Sequence, residues 1–178
     1  MNIERALATC GWMSEGELAY LAQTASKSTS IAEIGSWKGR STLAIACNTP
    51  GIVYAVDTWE GTEQQGDELK QHEEGWLIEE FKKNIAGIDN INIYQGTSIE
   101  VAQRLKELGI AFDMIFIDAY HTYEAAKNDI LAWRPLLCEG GILCGHDYTT
   151  NWPGIIQAVK ELVPQYRLVE SIWTTEAA

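Results

Sequence analysis

Two acids and two imidazoles in the second half of the chain could do chemistry together: Asp118, His121, His146 and Asp147. Asp118 closes the very apolar run Phe112-Asp-Met-Ile-Phe-Ile-Asp118, and His146-Asp147-Tyr148 closes the next apolar stretch. If both runs are strands of one sheet, neighbouring strand ends lie only about 5 Å apart. Carboxylates that close raise each other's pKa or require a cation between them. A divalent metal held by Asp118, His146 and Asp147 resolves the conflict and leaves positions open for a substrate. An imidazole ligand admits Mn²⁺, Fe²⁺ or Zn²⁺ as readily as Mg²⁺. His121, three residues beyond Asp118, stands at the mouth of the same cleft, where it can accept a proton at neutral pH. A second reading of the same residues has Asp118 and His121 capping the following helix, and His146-Asp147 forming a surface turn.

These groups need a scaffold that gathers strand ends along one edge. Ile31-Ala-Glu-Ile-Gly-Ser-Trp-Lys-Gly-Arg-Ser-Thr42 reads as a strand, a glycine turn and the start of a helix. A helix N-terminus offers unpaired N–H groups and the positive dipole end, so the turn can hold a polar, nucleotide-like ligand. Gly35 and Gly39 permit positive φ and close approach of backbone to that ligand. The spacing Glu33-x-Gly35-x-x-x-Gly39 matches neither the dinucleotide pattern nor the phosphate loop. Asp57, closing the next apolar run, is placed to accept hydrogen bonds from ribose hydroxyls, which suits an NAD enzyme equally well. Trp59 either covers the adenine face or packs the sheet edge. Gly96-Thr97-Ser98 closes a third strand.

Repeated strand–helix alternation predicts the rest. Strands are expected at 30–35, 52–57, 91–95, 112–118, 141–144 and 166–173, the last as one or two. Helices are expected at 41–47, 77–86, 99–108, 123–137 and 154–163. Ser14 and Glu17 have capping-box spacing ahead of a further helix. The fold class is α/β, a doubly wound, Rossmann-like, mostly parallel seven-stranded sheet with helices on both faces. One domain spans 1–178, with a helical region at 1–29. The glycine-rich, acidic loop at 58–75 is read as an active-site lid.

Composition narrows the function classes. A formal net charge of −12 disfavours nucleic acid and anionic membrane surfaces, which demand clustered cations. No apolar run approaches the length of a membrane span, and the N-terminus lacks the order of a secretory signal. Cys10, Cys47, Cys138 and Cys144 show no C-x-x-C pairing, so reduced thiols and a cytoplasmic setting are expected.

Glu33-x-Gly35, with its acid two residues before the glycine, resembles the first motif of class I S-adenosylmethionine-dependent methyltransferases. Phe116-Ile-Asp-Ala-Tyr-His-Thr-Tyr-Glu-Ala-Ala-Lys-Asn-Asp-Ile130, Trp133-Arg-Pro-Leu-Leu, Gly140-Gly141-Ile-Leu and Gly145-His-Asp-Tyr148 resemble methyltransferase family 24. That family is related to metal-dependent sugar and macrolide O-methyltransferases. Gly39-Arg-Ser-Thr42 and Val56-Asp-Thr-Trp-Glu-Gly61 also match its pattern. The resemblance implies S-adenosylmethionine lying across Glu33, Gly35, Ser36, Gly39 and Ser41, then Asp57-Thr58-Trp59, with Thr97-Ser98 near adenine. It implies Mg²⁺ or Mn²⁺ at Asp118, His146 and Asp147, with Asp118 beside both cofactor and metal, and His121 as general base. Better-studied relatives usually carry two acids, or an acid and an amide, at the His146-Asp147 position. The expected activity is O-methylation of a small molecule, a sugar or natural product. A metal-dependent hydrolase and an NAD oxidoreductase are the alternatives. The acceptor pocket is expected from residues 1–25, the 58–75 loop or the second subunit of a homodimer.

Overall fold

The apolar runs of this chain are continuous rather than alternating because both faces of their sheet are covered by helices. The computed structural model describes residues 1–61 and 73–176; most of the expected lid, 62–72, lies outside the described residues. In chain order the elements are α1 (Glu4–Ala8), α2 (Glu15–Ala25), β1 (Ser30–Ile34), α3 (Arg40–Ala46) and β2 (Ile52–Asp57). There follow α4 (Trp76–Asn84), β3 (Ile91–Gln95), α5 (Ser98–Glu107), β4 (Phe112–Ile117) and α6 (Tyr123–Trp133). The chain closes with β5 (Leu137–Gly145), α7 (Pro153–Leu162), β6 (Arg167–Val169) and β7 (Ile172–Thr174).

The seven strands lie in the order β3-β2-β1-β4-β5-β7-β6. The first five are parallel; β7 runs antiparallel to both β5 and β6. Along β4 the side chains divide between two cores. Met114 and Phe116 pack with α1–α4, whereas Phe112, Ile115 and Ile117 pack with α5–α7. The expected helix at 123–137 stops at Trp133, and a 3₁₀ turn over Arg134–Leu136 carries Pro135, which has no N–H to continue an α-helix. Freed that early, the chain enters β5 at Leu137, paired with Phe112, four residues before the expected start.

Strand order reverses between β1 and β4, and a crevice opens beyond their carboxyl ends. There the Asp118 N–H donates to the Ile34 carbonyl at 2.7 Å. Gly35 sits at φ +91°, and a Cβ on it would fall 2.0 Å from the Asp118 carbonyl oxygen. Only glycine meets both conditions.

The N-terminal region is tied to this edge. Ser14 and Glu17 form the reciprocal capping box of α2, with bonds of 2.9 and 3.1 Å. The Arg40 guanidinium, at the start of α3, donates to the carbonyls of Ala6, Leu7, Thr9 and Met13. It thereby satisfies the open end of α1 and fixes Gly11–Met13 beside the crevice. Gly35→Ala should lower the unfolding free energy by about 3 kcal/mol or more in urea titration. A loss well under 1 kcal/mol would show that β1 and β4 can part without cost.

Candidate active site

A cleft of about 850 Å³ runs along the carboxyl edge of the sheet. Gly35, Ser36, Ser41, Asp57, Thr58, Thr97, Ser98, Asp118, His121, His146 and Asp147 all face it. Glu33, Gly39 and Trp59 do not. Each of the three was expected at the cofactor, and each does another job.

Glu33 is wholly buried beneath the turn. Its Oε2 accepts from the hydroxyls of Ser36, at 2.7 Å, and Thr42. Burial raises its pKa to about 7, against hydrogen bonds from Ser41, Thr42 and Ser36 and with help from the Asp118 charge. Glu33 therefore shapes the turn from below. Gly39, at φ +89°, is the N-cap of α3 and backs onto Phe81 and Ile85. Trp59 is 3% exposed, its ring tilted against Phe81 and its indole N–H given to the Trp37 carbonyl at 2.8 Å. The apolar ring follows the core under α4 instead of the cleft, the sheet-edge packing that its position also allowed.

Asp57 joins the ends of β1 and β2. Its two oxygens accept the N–H groups of Trp37 and Trp59, each at 2.8 Å. Burial raises its pKa, opposed by these backbone bonds and by those from Thr58 and Ser36. At the far end, Thr97 forms a capping box with Glu100 on α5. Ser98 donates to Asp129 at 2.5 Å and accepts the Trp133 indole N–H at 2.9 Å.

The charged corner lies on the other wall. Asp118, His121 and Asp147 place one ligand atom each within 4.8 Å of one another. His121 thus joins the two acids, and the expected His146 also reaches both of them through Nδ1. The His121 Nε2 lies 2.7 Å from Asp147 Oδ2, and its ring stacks on Trp152 with centroids 4.2 Å apart. Capping of α6 falls to Thr122, whose hydroxyl accepts from the Ala125 N–H, so neither Asp118 nor His121 is needed there. Asp147 holds a left-handed φ of 62°, which turns its carboxylate back toward His121.

His146 stands behind this trio, 8% exposed. Its Nε2 is 3.2 Å from Glu17 and 3.0 Å from the Ser171 hydroxyl. Its Nδ1 is 3.6 Å from Asp118 and 3.4 Å from Asp147. Burial alone would depress its pKa, but bonds to Asp118, Asp147 and Glu17 push it up to about 12. Glu17 feels the converse: burial would raise it, yet hydrogen bonds from His146, Ser171 and the Ser14 N–H hold it at about 2. Glu17, Ser171 and Trp152 escaped sequence reasoning. Glu17 carried only its capping signal, and nothing in the spacing announces a contact across 129 positions to His146.

The family model for a methyltransferase domain matches residues 32–148, more than half of the chain. The chain belongs to methyltransferase family 24. Its fold is that of the class I methyltransferases. The crystal structure of CalS11, a calicheamicin methyltransferase, superposes with a TM-score of 0.67 at 18% identity, covering 88% of this chain and 76% of that one. An O-methyltransferase from Bacillus cereus, solved with SAH, gives 0.65 at 18% identity over 97% and 89% of the two chains. TomG from Streptomyces achromogenes, an O-methyltransferase of tomaymycin synthesis solved with SAM, gives 0.67 at 14% identity over 92% and 79%.

The buried acid of this methyltransferase's first motif has a measurable consequence. The folded pKa of Glu33, about 7, lies above its unfolded value of 4.5. Its contribution to stability is therefore complete below pH 4.5 and is lost as pH rises through 7. Subtracting the urea stability of Glu33→Gln from that of the wild type should give a difference that falls between pH 5 and 7.5. A flat difference would show that Glu33 titrates normally in the folded chain.

Proposed function

We propose that this methyltransferase transfers the methyl group of S-adenosylmethionine to a hydroxyl of a small-molecule acceptor. The observation that carries the reading is His121, clamped between Asp147 and Trp152 on the wall of the cleft that the glycine turn also enters. In the proposed pose the methionine end lies along Gly35, Ser36 and Ser41, the ribose at Asp57 and Thr58, and adenine toward Thr97 and Ser98. The SAH and SAM complexes of the Bacillus cereus protein and TomG support that cofactor. The calicheamicin and tomaymycin enzymes support a sugar or natural-product acceptor.

The chemistry is in-line displacement. A lone pair of the acceptor oxygen attacks the methyl carbon, the carbon–sulfur bond breaks, and its electron pair remains on the sulfur of S-adenosylhomocysteine. The protein's share is positioning and proton removal. Because Nε2–H of His121 faces Asp147, Nδ1 carries the lone pair that takes the hydroxyl proton. Asp147 then stabilises the imidazolium, much as a carboxylate orients the base in a hydrolytic triad. Asp118, at the β4 end beside Gly35, borders both cofactor and acceptor.

The carboxylates of Asp118 and Asp147, which offer oxygens within 4.8 Å of each other, fit a divalent cation such as Mg²⁺ or Mn²⁺. Asp118 and Asp147 would hold it through their carboxylates, leaving His121 Nδ1 free for the acceptor proton and His146 as a charged neighbour. Such an ion supplies polarisation of the acceptor hydroxyl, lowering its pKa. The acceptor side is completed by Gly11–Met13, Glu60 and Gly61 or by a second copy of the chain, within one domain over 1–178. Among the described residues no helix is long and apolar enough to cross a membrane.

Calorimetry with S-adenosylmethionine and S-adenosylhomocysteine, against NAD, should show micromolar binding of the adenosyl ligands only. Binding of NAD alone would overturn the cofactor assignment. With an acceptor found by screening, His121→Ala should lower kcat by about 100-fold or more while S-adenosylhomocysteine affinity stays within about threefold. Equal loss of both would remove the separate role of His121. Chelation with EDTA should depress turnover, and Mg²⁺ or Mn²⁺ should restore it; turnover indifferent to both would remove the cation.

A further inference from the structure

One buried acid on the cleft has no part in the chemistry above. Asp129, on α6, is 5% exposed and faces the cleft beside Ser98 and Ile99. Among the described residues its one hydrogen bond comes from Ser98, to Oδ1 at 2.5 Å, and no cation pairs with it. The direction of that bond is fixed. The Asp129 carboxylate can only accept, so the Ser98 hydroxyl donates to it while its oxygen accepts the Trp133 indole N–H at 2.9 Å. A rigid chain of Trp133, Ser98 and Asp129 therefore presents a carboxylate with one oxygen satisfied and Oδ2 without a donor. Oδ2 opens on the cleft, so a ligand N–H arriving there gains a charge-assisted hydrogen bond.

Position decides which N–H. Asp57 marks the end of β2, and Thr97 and Ser98 follow β3, the next strand outward. From the β1 turn to the β3 end is two strand spacings, roughly 10 Å, about the reach of a nucleoside. Resting on the cofactor reading above, we infer that Asp129 is the specificity determinant for the nucleobase, accepting the exocyclic 6-amino group of adenine at Oδ2. A purine with a 6-keto group would set oxygen against carboxylate oxygen and be rejected. Burial holds the Asp129 pKa up to about 6, so the acceptor is mostly ionised at neutral pH and is stabilised by any donor it gains.

The test is calorimetric titration of the wild type and Asp129→Asn with S-adenosylhomocysteine and S-inosylhomocysteine. Wild type should prefer the adenosyl ligand by about tenfold or more. In the variant, the Ser98 proton holds the amide oxygen, so the amide NH₂ faces the base and the preference should collapse or invert. Thermal melting reports whether the fold is kept. If Asp129→Asn does not fold, Ser98→Ala replaces it, and release of the carboxylate from its fixed orientation should narrow the ratio. An unchanged ratio in a folded variant, or equal binding of both ligands by the wild type, overturns the assignment to Asp129 alone. Binding of neither ligand by the wild type overturns the cofactor reading and this inference with it.

Discussion

Everything at the active edge depends on one imidazolium. Glu17, Asp118 and Asp147 converge on His146 from α2, the β4 end and the β5 end. Three carboxylates in so small a volume repel one another, and in a chain of formal charge −12 no surplus of cations relieves them. A cation 8% exposed would ordinarily shed its proton. Here the three acids outweigh the desolvation and keep it charged. Each partner needs the other: removing His146 would leave three buried or half-buried carboxylates unpaired, a larger loss than any one contact suggests. The Ser171 hydroxyl, bonded to both Glu17 and His146, closes the network against the β6–β7 hairpin.

That network also explains how the N-terminal region comes to matter for a cleft built from strand ends. Glu17 does two jobs with two oxygens. Oε2 accepts the Ser14 N–H as the capping box of α2, while Oε1 meets His146 and Ser171. Arg40 makes the second attachment, from the start of α3 to four carbonyls of the N-terminal segment. Between these two anchors the chain is held so that Trp12, 73% exposed, stacks on Trp37 at 4.4 Å on the cleft rim. Aromatic surface is thus presented on the cleft rim by a stretch of backbone tied down on both sides.

Most of the fold was legible because its signals are local. The β1 turn, the Ser14–Glu17 cap and the strands ending at Asp57 and Gln95 follow from glycine placement, capping spacing and apolar runs within a few residues of one another. The cleft was legible because an open parallel sheet sends its strand ends to one edge. What could not be read were choices between neighbours. Trp59 had a cleft on one side and Phe81 on the other, and the apolar contact won. His146 and His121 both lie beside Asp147, and their division of labour was decided by Glu17, which local sequence shows only as a cap. Asp129 was invisible for a related reason: a lone acid on an amphipathic helix looks solvated until the helix is packed against α5 and Trp133.

The arrangement suggests why base and acids share one corner. Under the proposed reaction the donor arrives as a sulfonium cation, and an edge carrying Asp118 and Asp147 attracts it. Methyl transfer destroys that charge, since the product is a neutral sulfide. An acidic corner that only lost a cation would grow less stable as the reaction advanced. The proton released by the acceptor prevents this, because His121 takes it and becomes a cation 2.7 Å from Asp147. Positive charge moves from sulfur to imidazole across the cleft, and the carboxylates are compensated before and after. The acids that look excessive in the resting chain are therefore matched to the charge the reaction carries, and His146 keeps them in place while it does so.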